Sequence, residues 1–360
     1  MISPNHRAQG TDAPGKMAAR PRLARATTRV PVLRVENLQI YFELEDGRVL
    51  RAVNGVSLSL ALGETLAIVG ESGSGKSVTG MSIMRILGRT PARHAGGSAL
   101  FTLKSGEQVD LMTAPERRVR RIRGREIAMI FQDPSSSLNP VFPVGDQIAE
   151  GLRIHQGLSR EASVARATQL LALVGIADPH RRIGEYPHQL SGGMRQRVMI
   201  AMALACDPRL MIADEPTTAL DVTIPAQIVE LLRELQRERG MAMIFISHDL
   251  HLVAGVADRI AVMYCGQVVE EGPVEEVLDK PRHPYTMALL ECIPERDQAT
   301  GAPVVRPIPG QIADPLNPPA GCKFHPRCRY AVKACRQTDV ELEAAAQGHM
   351  TRCIRWKELQ

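Results

Sequence analysis

Residues 64–77 read Glu64-Thr-Leu-Ala-Ile-Val-Gly-Glu-Ser-Gly-Ser-Gly-Lys-Ser77. The stretch begins as a short apolar run typical of a buried strand and continues as a glycine-rich loop. It is followed by Val78–Leu87, which has helical character. This order of strand, loop and helix is the context in which the pattern G-x-x-x-x-G-K-S/T binds phosphate groups. Glycines let backbone N–H groups of the loop approach the phosphates at the helix N-terminus. We therefore predict a nucleotide-phosphate site, since a chance glycine turn fits this context poorly.

Two side chains of this loop have specific predicted roles. Lys76 would reach the β- and γ-phosphates, and the Ser77 hydroxyl would ligate Mg²⁺. The predicted phosphate-loop contacts are Gly70, Ser72, Gly73, Ser74, Gly75, Lys76, Ser77 and Val78. A phosphate loop alone leaves kinases, GTPases, helicases and other ATPases open, so further motifs must decide the class.

A second motif is Leu210-Met-Ile-Ala-Asp-Glu215, an apolar strand that ends in two carboxylates. Asp214, at the end of the strand, suits a Mg²⁺ ligand of the Walker B type. Glu215, one residue later, suits a general base that polarises the attacking water. Alone, the pattern would fit a buried strand with two solvated acids equally well. The phosphate loop makes the catalytic interpretation the better one.

A third motif is Leu190-Ser-Gly-Gly-Met-Arg-Gln-Arg197, which precedes an apolar helical stretch. Its hydroxyl and backbone N–H groups at a helix start form a second predicted anion site. One chain does not need two γ-phosphate sites around one ATP, whereas two chains facing head to tail do. A glycine helix cap is the structural alternative.

Together these motifs resemble those of the ABC ATPase family, in which LSGG-x-x-Q-R is the signature sequence. The resemblance implies an ATP hydrolase in which each chain of a dimer donates its signature segment to the nucleotide of the other. The signature residues implied to contact nucleotide are Ser191, Gly192, Gly193 and Gln196.

The same resemblance implies roles for five further residues. Gln132, in Ile130-Phe-Gln-Asp133, matches the Q-loop that senses Mg²⁺ and the attacking water. His248 matches the switch histidine at the γ-phosphate, and Asp221 matches the D-loop that crosses the dimer interface. Phe42 matches the aromatic residue that stacks on adenine, with neighbouring Tyr41 as the rival.

Several stretches resemble one branch of this family, the ATP-binding subunits of oligopeptide and dipeptide importers, which also includes nickel uptake systems. They are the phosphate loop itself, Phe131-Gln-Asp-Pro-Ser-Ser-Ser-Leu-Asn-Pro140, Gly266–Pro273 and His283–Thr286. This resemblance implies two membrane permease subunits as partners and an extracytoplasmic substrate-binding protein that acts through them. It also implies a second, related ATP-binding subunit, with a heterodimer favoured over a homodimer.

The expected fold is α/β, with a P-loop ABC ATPase core of parallel sheet flanked by helices. To this the family adds an antiparallel β subdomain, a helical subdomain and a cysteine-bearing C-terminal extension. We predict a disordered basic tail over residues 1–31 and the nucleotide-binding domain over 32–275. The helical subdomain is expected at about 135–190 and the extension at 276–360.

Four cysteines of the extension have the spacing C-x5-C-x6-C-x17-C. They are Cys322, Cys328, Cys335 and Cys353. Clustered cysteines in a reducing compartment suggest a metal site rather than disulfides, but the spacing lacks the C-x-x-C pairs of most zinc ribbons. Members of the resembled family carry a 4Fe–4S cluster here, which makes such a cluster the expectation. Four thiols in a packed lobe are the alternative.

Composition sets weaker limits. The net charge of +5 and aromatic content of 3% do not favour a nucleic-acid partner. The basic run Arg117–Arg125 is better explained as a solvated charged segment. No apolar run approaches the roughly 20 residues of a membrane helix. The importer resemblance then implies a peripheral protein at the cytoplasmic face of the plasma (inner) membrane, attached through its partners. Soluble ABC ATPases of DNA or ribosome metabolism and non-catalytic ABC subunits are the competing classes.

Overall fold

The computed structural model describes most of the chain beyond its N-terminal tail. The described residues are 31–88, 90–217, 224–293, 295–296, 303–304 and 306–359. From Pro31 onwards they belong to one unit. The predicted tail, up to Val30, lies outside the described residues, and so does Asp221.

The described residues form two main β-sheets, a two-stranded ribbon and a set of helices. The strands are β1 (Leu33–Glu43), β2 (Val49–Leu60), β3 (Thr65–Val69), β4 (Ala92–Thr102), β5 (Gln108–Asp110), β6 (Ile127–Ile130), β7 (Leu210–Asp214), β8 (Ala242–Ser247), β9 (Arg259–Tyr264), β10 (Gln267–Pro273), β11 (Glu295–Arg296), β12 (Pro303–Val304), β13 (Glu343–Ala346) and β14 (His349–Thr351).

The helices lie between and after these strands. They are α1 (Lys76–Ile83), α2 (Glu116–Ile122), α3 (Pro134–Ser137), α4 (Val144–Gln156), α5 (Arg160–Leu173), α6 (Pro179–Arg182), a 3-10 helix (Pro187–Gln189), α7 (Gly192–Leu204), α8 (Ile224–Arg239), α9 (Leu250–Val256), α10 (Val274–Asp279), α11 (Pro284–Glu291) and α12 (Lys333–Gln337). In the described part of the chain, none of them is long and apolar enough to cross a bilayer.

The larger sheet has the strand order β13-β14-β10-β9-β3-β8-β7-β6. Strands β9, β3, β8, β7 and β6 run parallel, whereas β10, β14 and β13 join antiparallel. Every residue of β3, β7 and β8 is buried, as expected for parallel strands covered on both faces. The predicted α/β fold with a parallel core is confirmed.

The two faces of the larger sheet pack into two hydrophobic cores. In β3, Ala67 and Val69 join a core that includes α4, α5, α7 and α8. Leu66 and Ile68 join a second core, shared with α1 and with the smaller antiparallel sheet of order β2-β1-β4-β5. Because side chains alternate across a strand, one short apolar run supplies both cores. The larger sheet is thus the middle of three layers, with the antiparallel β subdomain on one side.

Between Pro134 and Gln189 every regular element is a helix. Helices α4 and α5 contact each other, and both contact α7. The helical subdomain predicted at about 135–190 falls in this segment. Its bounds as a subdomain and its contact with permeases stay predictions.

The C-terminal extension continues the larger sheet, so strand pairing crosses the expected boundary at residue 275. Strand β14 pairs with β10, which places Thr351 opposite Glu270. The Glu270 carboxylate is fully buried and accepts hydrogen bonds from His349 Nε2 at 2.7 Å and from the N–H groups of Arg282 and His283. The hairpin of β13 and β14 covers backbone groups of β10 that would otherwise form an open sheet edge.

Candidate active site

Four predicted site segments follow strands that lie side by side in the larger sheet. The phosphate loop follows β3, Gln132 follows β6, Glu215 follows β7 and His248 follows β8. Because carboxyl ends of parallel strands meet at one edge of a sheet, these segments converge there. The cleft at this edge is lined by Glu71, Ser72, Gly73, Ser74, Gly75, Lys76, Ser77, Val78, Gln132, Glu215, His248 and Ile312.

Two glycines allow the phosphate loop to lie directly on neighbouring backbone. A Cβ on Gly70 would be 2.2 Å from the Met263 carbonyl oxygen, and one on Gly75 would be 2.3 Å from the Ala52 carbonyl oxygen. Gly75 also has a φ of 101°, a conformation that disfavours side chains. The loop is therefore seated between β2 and β9 at positions that only glycine can occupy.

Lys76 is buried beneath the loop. Its Nζ donates to the carbonyl oxygens of Gly70 at 2.8 Å and Glu71 at 3.0 Å. Burial lowers the pKa of the Lys76 amine, while the negative charges of Glu215 and Asp214 oppose that shift. A charged amine held in this way beside the cleft is suited to contact phosphate oxygens.

Ser77 and Asp214 form the candidate Mg²⁺ site. The Ser77 hydroxyl donates to Asp214 Oδ1 at 2.8 Å. Burial raises the pKa of the Asp214 carboxyl, and the hydrogen bond from Ser77 opposes this shift. A hydroxyl and a carboxylate facing each other are the hard oxygen donors that Mg²⁺ prefers. The residues present therefore fit the predicted ion.

Glu215 lies between two of the side chains implied by the family resemblance. Gln132 Nε2 donates to Glu215 Oε2 at 3.0 Å, and His248 Nδ1 lies 3.3 Å from the same oxygen. Glu215 has a φ of 44°, uncommon for a residue other than glycine, and its N–H donates to the Ile246 carbonyl oxygen at 3.0 Å. The Gln132 amide is thus engaged with Glu215, and its contact with Mg²⁺ stays a prediction.

The signature segment lies at the start of α7 and does not line this cleft. Ser191 is exposed and caps the helix by accepting a hydrogen bond from the Met194 N–H at 3.3 Å. Gly192 and Gly193 form the first turn of the helix. Gln196 is only 1% exposed, because the helical period turns its side chain towards the core. Its predicted nucleotide contact would require that side chain to move.

The structure does not bring the adenine-stacking candidates into the cleft. The Tyr41 hydroxyl hydrogen-bonds with Gln39 and Asn54, and its ring lies 5.7 Å below the Arg51 guanidinium. Phe42 is partly buried against the second core. Alternation along β1 therefore turns the two rings in different directions, and which one meets adenine stays a prediction.

Two contributions to this region were missed from the sequence. Ile312, in the Pro-rich stretch of the extension, lines the cleft. Arg195 Nη1 donates to Ser135 Oγ at 2.9 Å, which links the signature helix to the segment after Gln132. A single isoleucine in a loop belongs to no motif. Arg195 occupies a variable position of the signature sequence, so nothing in the sequence around either residue indicated its contact.

The four extension cysteines line one cavity and form no disulfide. The cavity measures about 20 Å³, which is room for about one water molecule. Burial raises the pKa of the Cys353 thiol to about 12. Within the ranges that the structure describes, no group of three or more His, Cys, Asp or Glu side chains is arranged to hold a metal ion. The donor chemistry matches an iron–sulfur site, but the space between the thiols does not.

The loop geometry predicts unequal costs for adding a methyl group at two of its glycines. Gly75→Ala is expected to lower the free energy of unfolding by about 3 kcal/mol, because backbone strain is joined by a clash with Ala52. Gly73→Ala is the control, since Gly73 also has positive φ but open space around it; its expected cost is about 1 kcal/mol. Denaturant unfolding without nucleotide measures both, and equal losses would contradict this account of the loop.

Comparison with known proteins shows which family the chain resembles. A family profile described as ABC transporter matches residues 53–218. A second profile, described as Oligopeptide/dipeptide transporter, C-terminal region, matches residues 269–335. Among solved structures, a dimeric post-hydrolysis ATP-binding cassette bound to ADP and phosphate is 27% identical with a TM-score of 0.59, covering 67% of this chain and 98% of that chain.

Curated relatives are similar over nearly their whole length. A protein of Brucella abortus (strain 2308), provisionally named as a peptide import ATP-binding protein, is 51% identical over 336 residues, which is 92% of this chain and 99% of the relative. A protein of Brucella suis biovar 1 (strain 1330) with the same provisional description is 50% identical over 323 residues, covering 90% and 94% of the two chains. The chain therefore belongs to the ABC transporter family, as an ATP-binding and ATP-hydrolysing member that carries the oligopeptide/dipeptide transporter C-terminal region.

Proposed function

We propose that this chain powers a bacterial ABC importer for dipeptides and oligopeptides. The observation that carries the proposal is the convergence of Lys76, the Ser77–Asp214 pair and Glu215 on one cleft. The match of residues 269–335 to the oligopeptide/dipeptide transporter region supports peptides as the cargo. The names of the Brucella relatives support the same cargo.

The proposed chemistry is transfer of the γ-phosphoryl group of ATP to water. Glu215 accepts a proton from the water while the water oxygen bonds to the γ-phosphorus. The bond between the γ-phosphorus and the oxygen that bridges to the β-phosphate breaks, and ADP is released. Lys76 offsets the negative charge of the phosphates. Ser77 and Asp214 would hold Mg²⁺, and the ion would supply further positive charge at the phosphate oxygens. Gln132 and His248 orient the Glu215 carboxylate and the water.

The working unit in this proposal is a dimer of ATP-binding subunits. The exposed Ser191 and the N-terminus of α7 lie outside this chain's own cleft, which suits them to the nucleotide of a facing chain. Asp221 would cross the interface. A related second subunit is proposed as the partner, which makes the working dimer a heterodimer.

The proposed membrane partners are two permeases, which in turn receive cargo from an extracytoplasmic binding protein. Val141 and Phe142, 68% and 52% exposed, follow the Gln132 segment, and apolar side chains so exposed suit contact with another protein. This chain would then work at the cytoplasmic face of the plasma (inner) membrane. Nickel or another small solute is the alternative cargo, because cargo recognition would lie in the permeases and binding protein.

An iron–sulfur cluster in the extension is a separate part of the proposal, supported only by donor chemistry. Four thiols face one cavity, and Cys₄ ligation is the usual ligand set of such clusters. A cavity of about 20 Å³ means that the cysteine-bearing segments would have to move apart to admit the cluster. Iron and acid-labile sulfide assays on protein purified without oxygen test this; absence of both would contradict it.

Replacing the proposed general base should separate ATP binding from hydrolysis. Glu215→Gln is expected to lower kcat by about 100-fold or more, because the amide cannot accept the proton. ATP and Mg²⁺ should still bind and hold the dimer together. Steady-state hydrolysis and light scattering with ATP measure the two effects, with the exposed Glu45→Gln as the matched control. Hydrolysis at the wild-type rate would show that Glu215 is not the base.

Affinity purification in mild detergent from native membranes tests the importer assignment. We expect two multi-span permeases, with or without a second ATP-binding subunit, to be identified by mass spectrometry. The identity of the permeases would separate peptide from nickel transport. Recovery of ribosomes or DNA-repair proteins instead would contradict the importer and favour a soluble ABC ATPase.

A further inference from the structure

The phosphate loop is attached to the C-terminal extension through Glu71. The Glu71 carboxylate accepts two hydrogen bonds from Arg327, from Nη1 at 2.7 Å and from Nη2 at 3.0 Å. Its backbone N–H donates to the Tyr285 hydroxyl at 2.8 Å, and its carbonyl oxygen accepts from Lys76 Nζ at 3.0 Å. The extension thus contacts the N–H group and the carboxylate of Glu71. The carbonyl group of the same residue holds Lys76.

Arg327 is held rigidly for this contact. Its side chain is 4% exposed, and its Nε donates to the Pro309 carbonyl oxygen at 3.1 Å. The guanidinium lies 6.0 Å from the Tyr264 ring and 5.9 Å from the Phe324 ring, within the range of cation–π attraction. A buried guanidinium with this many partners is fixed in position. Its bidentate pair with a carboxylate is both strong and geometrically specific.

We propose that Arg327 is a positioning residue for ATP: its pairing with Glu71 neutralises a carboxylate beside the phosphate site and holds the loop in the form that presents Lys76. The inference rests on ATP binding at this loop.

The position of Glu71 in the cleft places a negative charge beside the ATP site. Glu71 lines the cleft together with Lys76 and Ser77, so ATP phosphates would bind next to its carboxylate. Without Arg327 that negative charge would repel the phosphates and attract the Lys76 amine away from them. In a partly buried site such repulsion is only weakly screened. Arg327 therefore acts on ATP through Glu71 and does not need to touch the nucleotide.

The segment around Arg327 also links the candidate nucleotide site to the part of the extension that carries the four cysteines. Arg327 is followed in the chain by Cys328, and the turn that carries both is closed by the Arg327 N–H bond to the Phe324 carbonyl at 3.0 Å. The Ala313 N–H donates to the Tyr264 hydroxyl at 3.2 Å, which anchors the loop that brings Ile312 to the cleft. The extension therefore completes the nucleotide site.

The test compares ATPase kinetics of the assembled transporter carrying single and double variants. Arg327→Gln is expected to raise the KM for ATP by about tenfold, with a smaller change in kcat, because it leaves a charged carboxylate unpaired beside the phosphates. Adding Glu71→Gln removes that charge and should recover most of the loss. Arg327→Lys, which keeps the charge but not the two-pronged geometry, should give an intermediate KM. It also preserves the test if Arg327→Gln fails to fold.

Arg329→Gln is the matched control. Arg329 lies two residues away in the same part of the extension and pairs with Glu291 at an exposed position, so its loss should leave the KM unchanged. An unchanged KM in Arg327→Gln, or a loss that Glu71→Gln does not restore, would overturn the inference and leave Arg327 a structural residue. A wild-type assembly without ATPase activity would instead contradict the proposed function.

Discussion

The parallel register of β3, β8 and β7 is the constraint on which the rest of the structure depends. It pairs Val69 with Ser247 and Asp214 with Ile246, so the three strands end at nearly the same level. The residues that follow them are the phosphate loop, Glu215 and His248. Apolar side chains on both faces of these strands bury the sheet in two cores, and a slip of one residue would exchange those faces. The fit of side chains of different size in the two cores therefore favours one register, and the register fixes the distances between the site residues.

A residue of this site could be predicted from the sequence when its role follows from the short stretch that contains it. Lys76 and Ser77 belong to a contiguous motif whose spacing encodes the loop. Asp214 ends a single apolar strand, and Glu215 follows it directly. Those four were predicted from chemistry alone. The juxtaposition of Gln132 and His248 with Glu215 depends on strand order, which a single sequence does not reveal; here a family resemblance supplied the expectation. The orientations of Tyr41 and Gln196 depend on how β1 and α7 face their neighbours, and these could not be predicted.

The C-terminal extension shows the same limit more sharply. Its cysteines were recognisable as a cluster, and they do share a cavity, but the narrowness of that cavity follows from packing and not from spacing. The contact of Arg327 with Glu71 joins residues far apart in the chain. The Arg327 side chain is packed against an aromatic cluster of Tyr264, Tyr285 and Phe324, with ring centroids 4.7 to 5.4 Å apart. Such an arrangement offers no periodic or motif signal. Under the proposed role of Arg327, this contact makes the extension part of the candidate nucleotide site.

We propose that the ends of β3 and β7 together hold ATP with Mg²⁺, through Ser77 and Asp214. Calorimetric titration of ATP into the protein, with and without Mg²⁺, measures how much the ion strengthens binding. The most direct test compares this gain in the wild type and in Asp214→Asn. We expect Mg²⁺ to strengthen ATP binding to the wild type and most of this gain to be lost in Asp214→Asn. An undiminished Mg²⁺ effect in the variant would show that Asp214 does not hold the ion.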